Sequence, residues 1–80
     1  MKITSPMENQ TDILIFKTNI QTDSDKSVIR ELLDTHHAIE RWTVDTDDAD
    51  CVLRIVAQRM SATDIITLIT RTGYLCQELE

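Results

Sequence analysis

The sequence predicts an α+β sandwich: a four-stranded antiparallel sheet with both helices on one face. Three observations predict it. Short β-branched runs and helix-period runs succeed one another in the order β-α-β-β-α-β. The second and third strands are separated only by an acidic turn. The first and third strands each lead into a helix, and right-handed crossovers return both helices to the same side of the sheet.

Met1 to Thr11 carries Pro6, polar residues and no periodicity, so it is expected to be a disordered N-terminal tail, with one domain over residues 12–80. Ile13-Leu14-Ile15-Phe16-Lys17-Thr18 is a strand by its β-branched and aromatic content. Asp23, Ser24 and Asp25 are each competent helix caps, and Val28, Ile29, Leu32 and Leu33 then fall at helical spacing, giving a helix to about His36. Ile39 to Asp45 is a second strand. Thr46-Asp47-Asp48-Ala49-Asp50 is a turn, because Asp side chains bond local backbone groups. Cys51 to Ala57 completes a hairpin. Ser61-Ala62-Thr63-Asp64 resembles a capping box with Asp in the usual place of Glu, and Ile65, Ile66, Leu68 and Ile69 supply the helix behind it. Gly73, the only glycine, supplies a left-handed stop, and Leu75 to Leu79 forms a brief last strand.

Composition excludes several functions. Eighty residues make one domain near the size where a single core suffices. The 41% hydrophobic content is enough to fold, and the net charge of −6 is wrong for a nucleic-acid surface, which needs clustered Lys and Arg. No apolar run approaches the ~20 residues that span a bilayer, and the polar N-terminus is no secretory signal, so a cytoplasmic protein is expected. Cys51 and Cys76 are far apart and flanked by apolar residues; they read as buried thiols, with a disulfide or a metal-ligand pair as the alternatives.

Four stretches carry a family resemblance from Ile13 to Leu79. They are Phe16-Lys17-Thr18, Ile39-Glu40-Arg41-Trp42-Thr43-Val44-Asp45, Val52-Leu53-Arg54-Ile55, and Thr72-Gly73-Tyr74-Leu75-Cys76-Gln77-Glu78-Leu79. In this order and at these spacings the chain resembles the heavy-metal-associated domain of copper chaperones and metal-pumping ATPases. The resemblance implies a ferredoxin-like βαββαβ fold. It also implies a soft-metal site of two cysteines, spaced Cys-x-x-Cys, at the start of the first helix. Thiolates suit Cu(I) and Zn because they are soft and polarizable. This sequence departs there. With Ile29 aligned to the first core position of the helix, Thr22 and Asp25 take the cysteine positions; with Val28 aligned, Gln21 and Ser24 do. Neither alignment supplies a thiol, so no cofactor is carried over and a metal ion is not expected. Tyr74 is expected near this loop, as the equivalent residue is in the family.

Other candidates reduce to structure. His36-His37 stands at the far end of the first helix, ~18 Å from its start, and adjacent helical residues point in different directions. Asp45, Asp47, Asp48 and Asp50 lack the glycine and distal Glu of a calcium loop. Asp23 and Asp25 read as caps rather than an acid–base pair. One glycine makes no phosphate loop, and catalysis is not expected. Trp42 is expected in the core.

Strand alternation sends Leu14, Phe16, Leu53 and Ile55 toward the helices. It sends Ile13, Ile15, Val52 and Val56 outward, among Lys17, Arg41, Thr43 and Arg54. That set is an apolar patch framed by positive charge, the expected contact surface for a second copy or another protein. The function expected is a non-catalytic interaction domain; the alternative is a divergent metal-binding or metallochaperone-related protein.

Overall fold

In the computed structural model, described over residues 11–79, six elements follow in order: β1 (Thr11–Thr18), α1 (Asp23–Asp34), β2 (Ile39–Asp45), β3 (Val52–Gln58), α2 (Ala62–Thr70) and β4 (Cys76–Glu78). The sheet is antiparallel with strand order β2-β3-β1-β4, the ferredoxin-like arrangement. The expected disordered tail lies outside the described residues except for Thr11, and there it is corrected. Thr11 and Asp12 pair with Gln58 and Ala57 as the start of β1, because the long β3 offers backbone partners that far.

Register fixes the faces. Leu14 lies opposite Ile55 and Phe16 opposite Leu53, while Trp42 and Val44 lie opposite the same two residues from the other side. This inward set meets Ile29 and Leu33 of α1 and Ile65 and Ile69 of α2, giving a core in which Phe16, Leu53 and Ile55 lose all exposure to water. Val28, expected on the buried face of α1, is 44% exposed, since a helix covering one sheet face buries only its central stripe. Ile20, in the loop before α1, is fully buried and belongs to the core.

Helix ends follow capping chemistry. Thr22, not one of the three acidic or serine candidates after it, is the N-cap of α1. Its hydroxyl accepts from the Asp25 amide while the Asp25 carboxylate accepts from the Thr22 amide. Only Thr22 stands three residues before a carboxylate that can close this reciprocal pair. Ser61 and Asp64 form the same box on α2, as expected. Helix α1 stops at Asp34 with Thr35 as its C-cap, so His36 lies outside it. Gly73 has φ +97, and a Cβ there would meet nothing; the backbone conformation alone demands glycine. Cys51 (φ 46) and Arg59 (φ 56) hold the same left-handed region without that freedom, at about 1 kcal/mol each.

The outward set needs one correction. Val52, expected on the exposed face, is 7% exposed. Continuing the register one pair past Phe16 and Leu53 brings Lys17 beside Val52, and the Lys17 ammonium is held 3.7 Å from Asp50. A lysine in that position can cover a neighbouring apolar side chain with its methylenes while its ammonium stays in water.

Candidate functional site

Two places gather the sequence-predicted residues. The first is the loop at the head of α1. Asp25 is its centre. One carboxylate oxygen accepts from the backbone amides of Gln21 and Thr22, each at 3.0 Å, and the other accepts from the Tyr74 hydroxyl at 2.7 Å. The Leu75 amide donates to the Asn19 side-chain oxygen at 2.9 Å. The segment after α2 is thus clasped to the loop before α1, and Tyr74 sits where expected. Ser24 is exposed on the first turn and makes no part of the clasp.

The clasp polarises its own groups. Donation from the Gln21 amide, then from the Tyr74 hydroxyl and the Thr22 amide, holds the Asp25 carboxyl down at about 2, against an ordinary 3.8. Tyr74 is pushed up from its ordinary 10.0 chiefly by its hydrogen bond to Asp25. A carboxyl lowered in the folded state contributes stability above its unfolded value, lost as pH falls from 3.8 toward about 2. A phenol raised in the folded state contributes stability below pH 10, lost as pH rises through its folded value. Tyr74→Phe is expected to move the Asp25 carboxyl back up toward 3.8 and to remove the alkaline loss; a carboxyl-detected NMR titration reads the first and a denaturation series across pH the second. An Asp25 carboxyl unmoved by the substitution contradicts the assignment.

The second place is the uncovered sheet face. A shallow groove of about 220 Å³ is lined by Ile13, Arg41, Trp42, Thr43, Arg54 and Val56. Ile13 is 67% exposed, the most of any large apolar residue described. Across the sheet, Val56 separates Ile13 from Arg41, and Arg54 separates Ile15 from Thr43. Ile15 and Val56 are half-buried. Lys17 stands at the other end of β1 with Asp50, the one ion pair among the described residues, which leaves Arg41 and Arg54 without an acidic partner there. Val52 is shielded and contributes no surface.

The remaining candidates fall into place. The imidazoles of His36 and His37, expected to diverge, stack with centroids 5.7 Å apart, because both residues lie past the end of α1 and escape helical angles. They border a cleft of about 610 Å³ with Arg59, Met60 and Asp64, at the opposite end of α1 from the clasp. Asp45 and Asp48 accept from the amides of Asp47 and Asp50, which binds the acidic run into its turn. Cys51 and Cys76 are buried free thiols, and burial pushes Cys76 up to about 11. Trp42 packs against the core and its indole donates to Asp34 at 2.8 Å. Among the described residues, no three His, Cys, Asp or Glu side chains are grouped to hold a metal ion, and no helix is long and apolar enough to cross a membrane. Thr18 and Asn19 carry roles that sequence reasoning missed; the only signal was two polar side chains at a strand end.

Comparison with known proteins agrees on the fold. Oxidized MerP from Ralstonia metallidurans CH34 superposes with a TM-score of 0.73 at 7% identity, over 88% of this chain and 99% of that one. The apo HMA domain of the copper chaperone for superoxide dismutase superposes with a TM-score of 0.73 at 16% identity, over 100% of this chain and 81% of that one. At these identities the likeness is one of fold. No family model and no curated protein matches the sequence.

Proposed function

We propose that this chain is a non-catalytic binding domain that meets a protein partner through the open face of its sheet. The observation that carries the reading is the groove at Ile13: an exposed isoleucine beside two guanidinium groups that have no acidic partner among the described residues, on a chain of net charge −6. Such a surface fits an apolar partner segment that carries carboxylates. The loop before α1 supports the same reading. Gln21, Thr22, Ser24 and Asp25 offer no thiolate, and both oxygens of the single clasp carboxylate are already engaged by Gln21, Thr22 and Tyr74. That loop holds the fold together rather than Cu(I) or Zn²⁺.

The test is an amide NMR titration of wild type and Ile13→Asp with an apolar anion, anilinonaphthalene sulfonate, and separately with Cu(I) and Zn²⁺ under reducing conditions. The anion is expected to shift Ile13, Arg41, Arg54 and Val56, and Ile13→Asp to weaken it at least about tenfold, the worth of one lost apolar side chain. Saturable metal shifts at Gln21 to Asp25, with none at the groove, overturn the reading in favour of a divergent metal-binding domain.

A further inference from the structure

The edge of the sheet carries a second surface, which adjoins the groove and shares Arg41, Trp42 and Thr43 with it. Strand β2 is a sheet edge, so among the described residues one side of its backbone has no strand beside it. An open edge is a template for another strand, and charges placed along it ordinarily keep other chains away. Here the charges are arranged otherwise. Arg41, Thr43 and Asp45 are exposed on the outer face, and Trp42 and Val44 are half-buried on the inner face. The pentapeptide Arg41-Trp42-Thr43-Val44-Asp45 is self-complementary when laid antiparallel to itself.

We infer that β2 pairs with β2 of a second copy about a two-fold axis at Thr43. In that register Arg41 faces Asp45 of the other copy on the outer face, twice by symmetry, and Trp42 faces Val44 on the inner face. Directly opposed antiparallel residues share a face, so only registers that keep inward against inward are allowed. Centring on Trp42 sets that bulky ring against itself and gives Arg41 a threonine. Centring on Val44 gives Asp45 a threonine. Only the Thr43 register pairs both charges. Pairing ends where the strand itself ends: a register shift between Ile39 and Arg41 bends one end away, and the acidic turn after Asp45 closes the other. The product is one eight-stranded sheet whose open faces become continuous. The pairing uses the β2 backbone edge and engages Arg41, which it shares with the groove, while Ile13, Arg54 and Val56 stay outside it. Five paired residues make a small interface, of the class that associates weakly and reversibly.

The test is sedimentation equilibrium up to about 1 mM for wild type, Arg41→Asp, Asp45→Arg, the double variant carrying both, and Ile13→Asp. Wild type is expected to dimerise. Each single reversal sets like charges opposite each other at both symmetric positions and is expected to weaken dimerisation about tenfold. The double variant restores opposite signs and is expected to recover wild-type association, and Ile13→Asp to dimerise as wild type does. A monomeric wild type, single reversals without effect, or a folded but monomeric double variant overturns the pairing. Loss of the dimer in Ile13→Asp alone assigns association to the sheet face and also overturns it. Isotope-filtered NOEs between the Trp42 indole of one wild-type copy and the Val44 methyls of the other supply a readout that needs no variant; a dimer without them is not this dimer.

Discussion

Phe16→Ala is expected to cost about 3–5 kcal/mol and to leave much of the protein unfolded at room temperature. The side chain has no exposure to water, and it stands on the central strand β1, between Leu53 of β3 and Glu78 of β4. Truncation removes the transfer free energy of the ring and leaves a cavity bounded by strands on both sides, which cannot close in to fill it. A domain this small has stability near the low end of the usual ~5–15 kcal/mol, so one such loss approaches the whole. Ile13→Ala, three residues earlier and largely in water, is expected to change stability by less than about 0.5 kcal/mol. Urea denaturation followed by circular dichroism separates the two. Equal midpoints contradict the assignment of inner and outer faces.

The second large effect comes from a hydroxyl. Thr18 is 7% exposed, the one buried polar side chain among the described residues. Its hydroxyl donates to the Cys51 carbonyl at 2.6 Å and accepts from the Ile20 amide at 3.2 Å. Its own amide donates to the Asp50 carbonyl at 3.0 Å. Thr18 therefore ties the end of β1 to the end of the acidic turn and to the start of the crossover. Thr18→Val keeps the shape and β-branching and raises apolarity, yet it orphans a buried carbonyl and a buried amide, at about 1–3 kcal/mol each. Thr18→Ser keeps both bonds and loses one methyl, about 0.8 kcal/mol. Serine is expected to be the milder change, although hydrophobic burial alone ranks the two the other way. A valine variant as stable as wild type refutes the role.

The strands and their faces were legible because a period of two leaves few readings, and Ser61 to Asp64 was legible because the capping box is local. The loop before α1 was harder. Thr22, Asp23, Ser24 and Asp25 all favour a helix start, and only the reciprocal geometry with Asp25 selects Thr22. Thr18 and Asn19 were illegible for a different reason. Their partners lie 33 and 56 residues further along the chain, and no local pattern announces a bond to Cys51 or Leu75. Val52 obeys the alternation and is still only 7% exposed, at the end of the sheet where Lys17 and Asp50 pair; the pattern of one strand does not show what covers it. The His36–His37 stack depends on where α1 stops, and the end of a helix is the least determined part of its pattern.

Strand β4 is the shortest strand of the sheet and the one expected to open first. Cys76–Glu78 holds to β1 only between Phe16 and Thr18, while β3 follows β1 from Thr11 to Phe16. Around it the last segment is pinned by single bonds: Tyr74 to Asp25, the Leu75 amide to Asn19, and the Leu79 amide to the Ile15 carbonyl. Only Cys76 of the strand enters the core, so the segment is expected to detach as a unit for a fraction of the free energy of global unfolding. When it lifts, Cys76 meets water and its thiol returns to an ordinary, reactive state. Cys76 is thus a clock for breathing at the C-terminal edge: its alkylation rate, read apart from that of the other buried thiol, Cys51, is expected to count the openings.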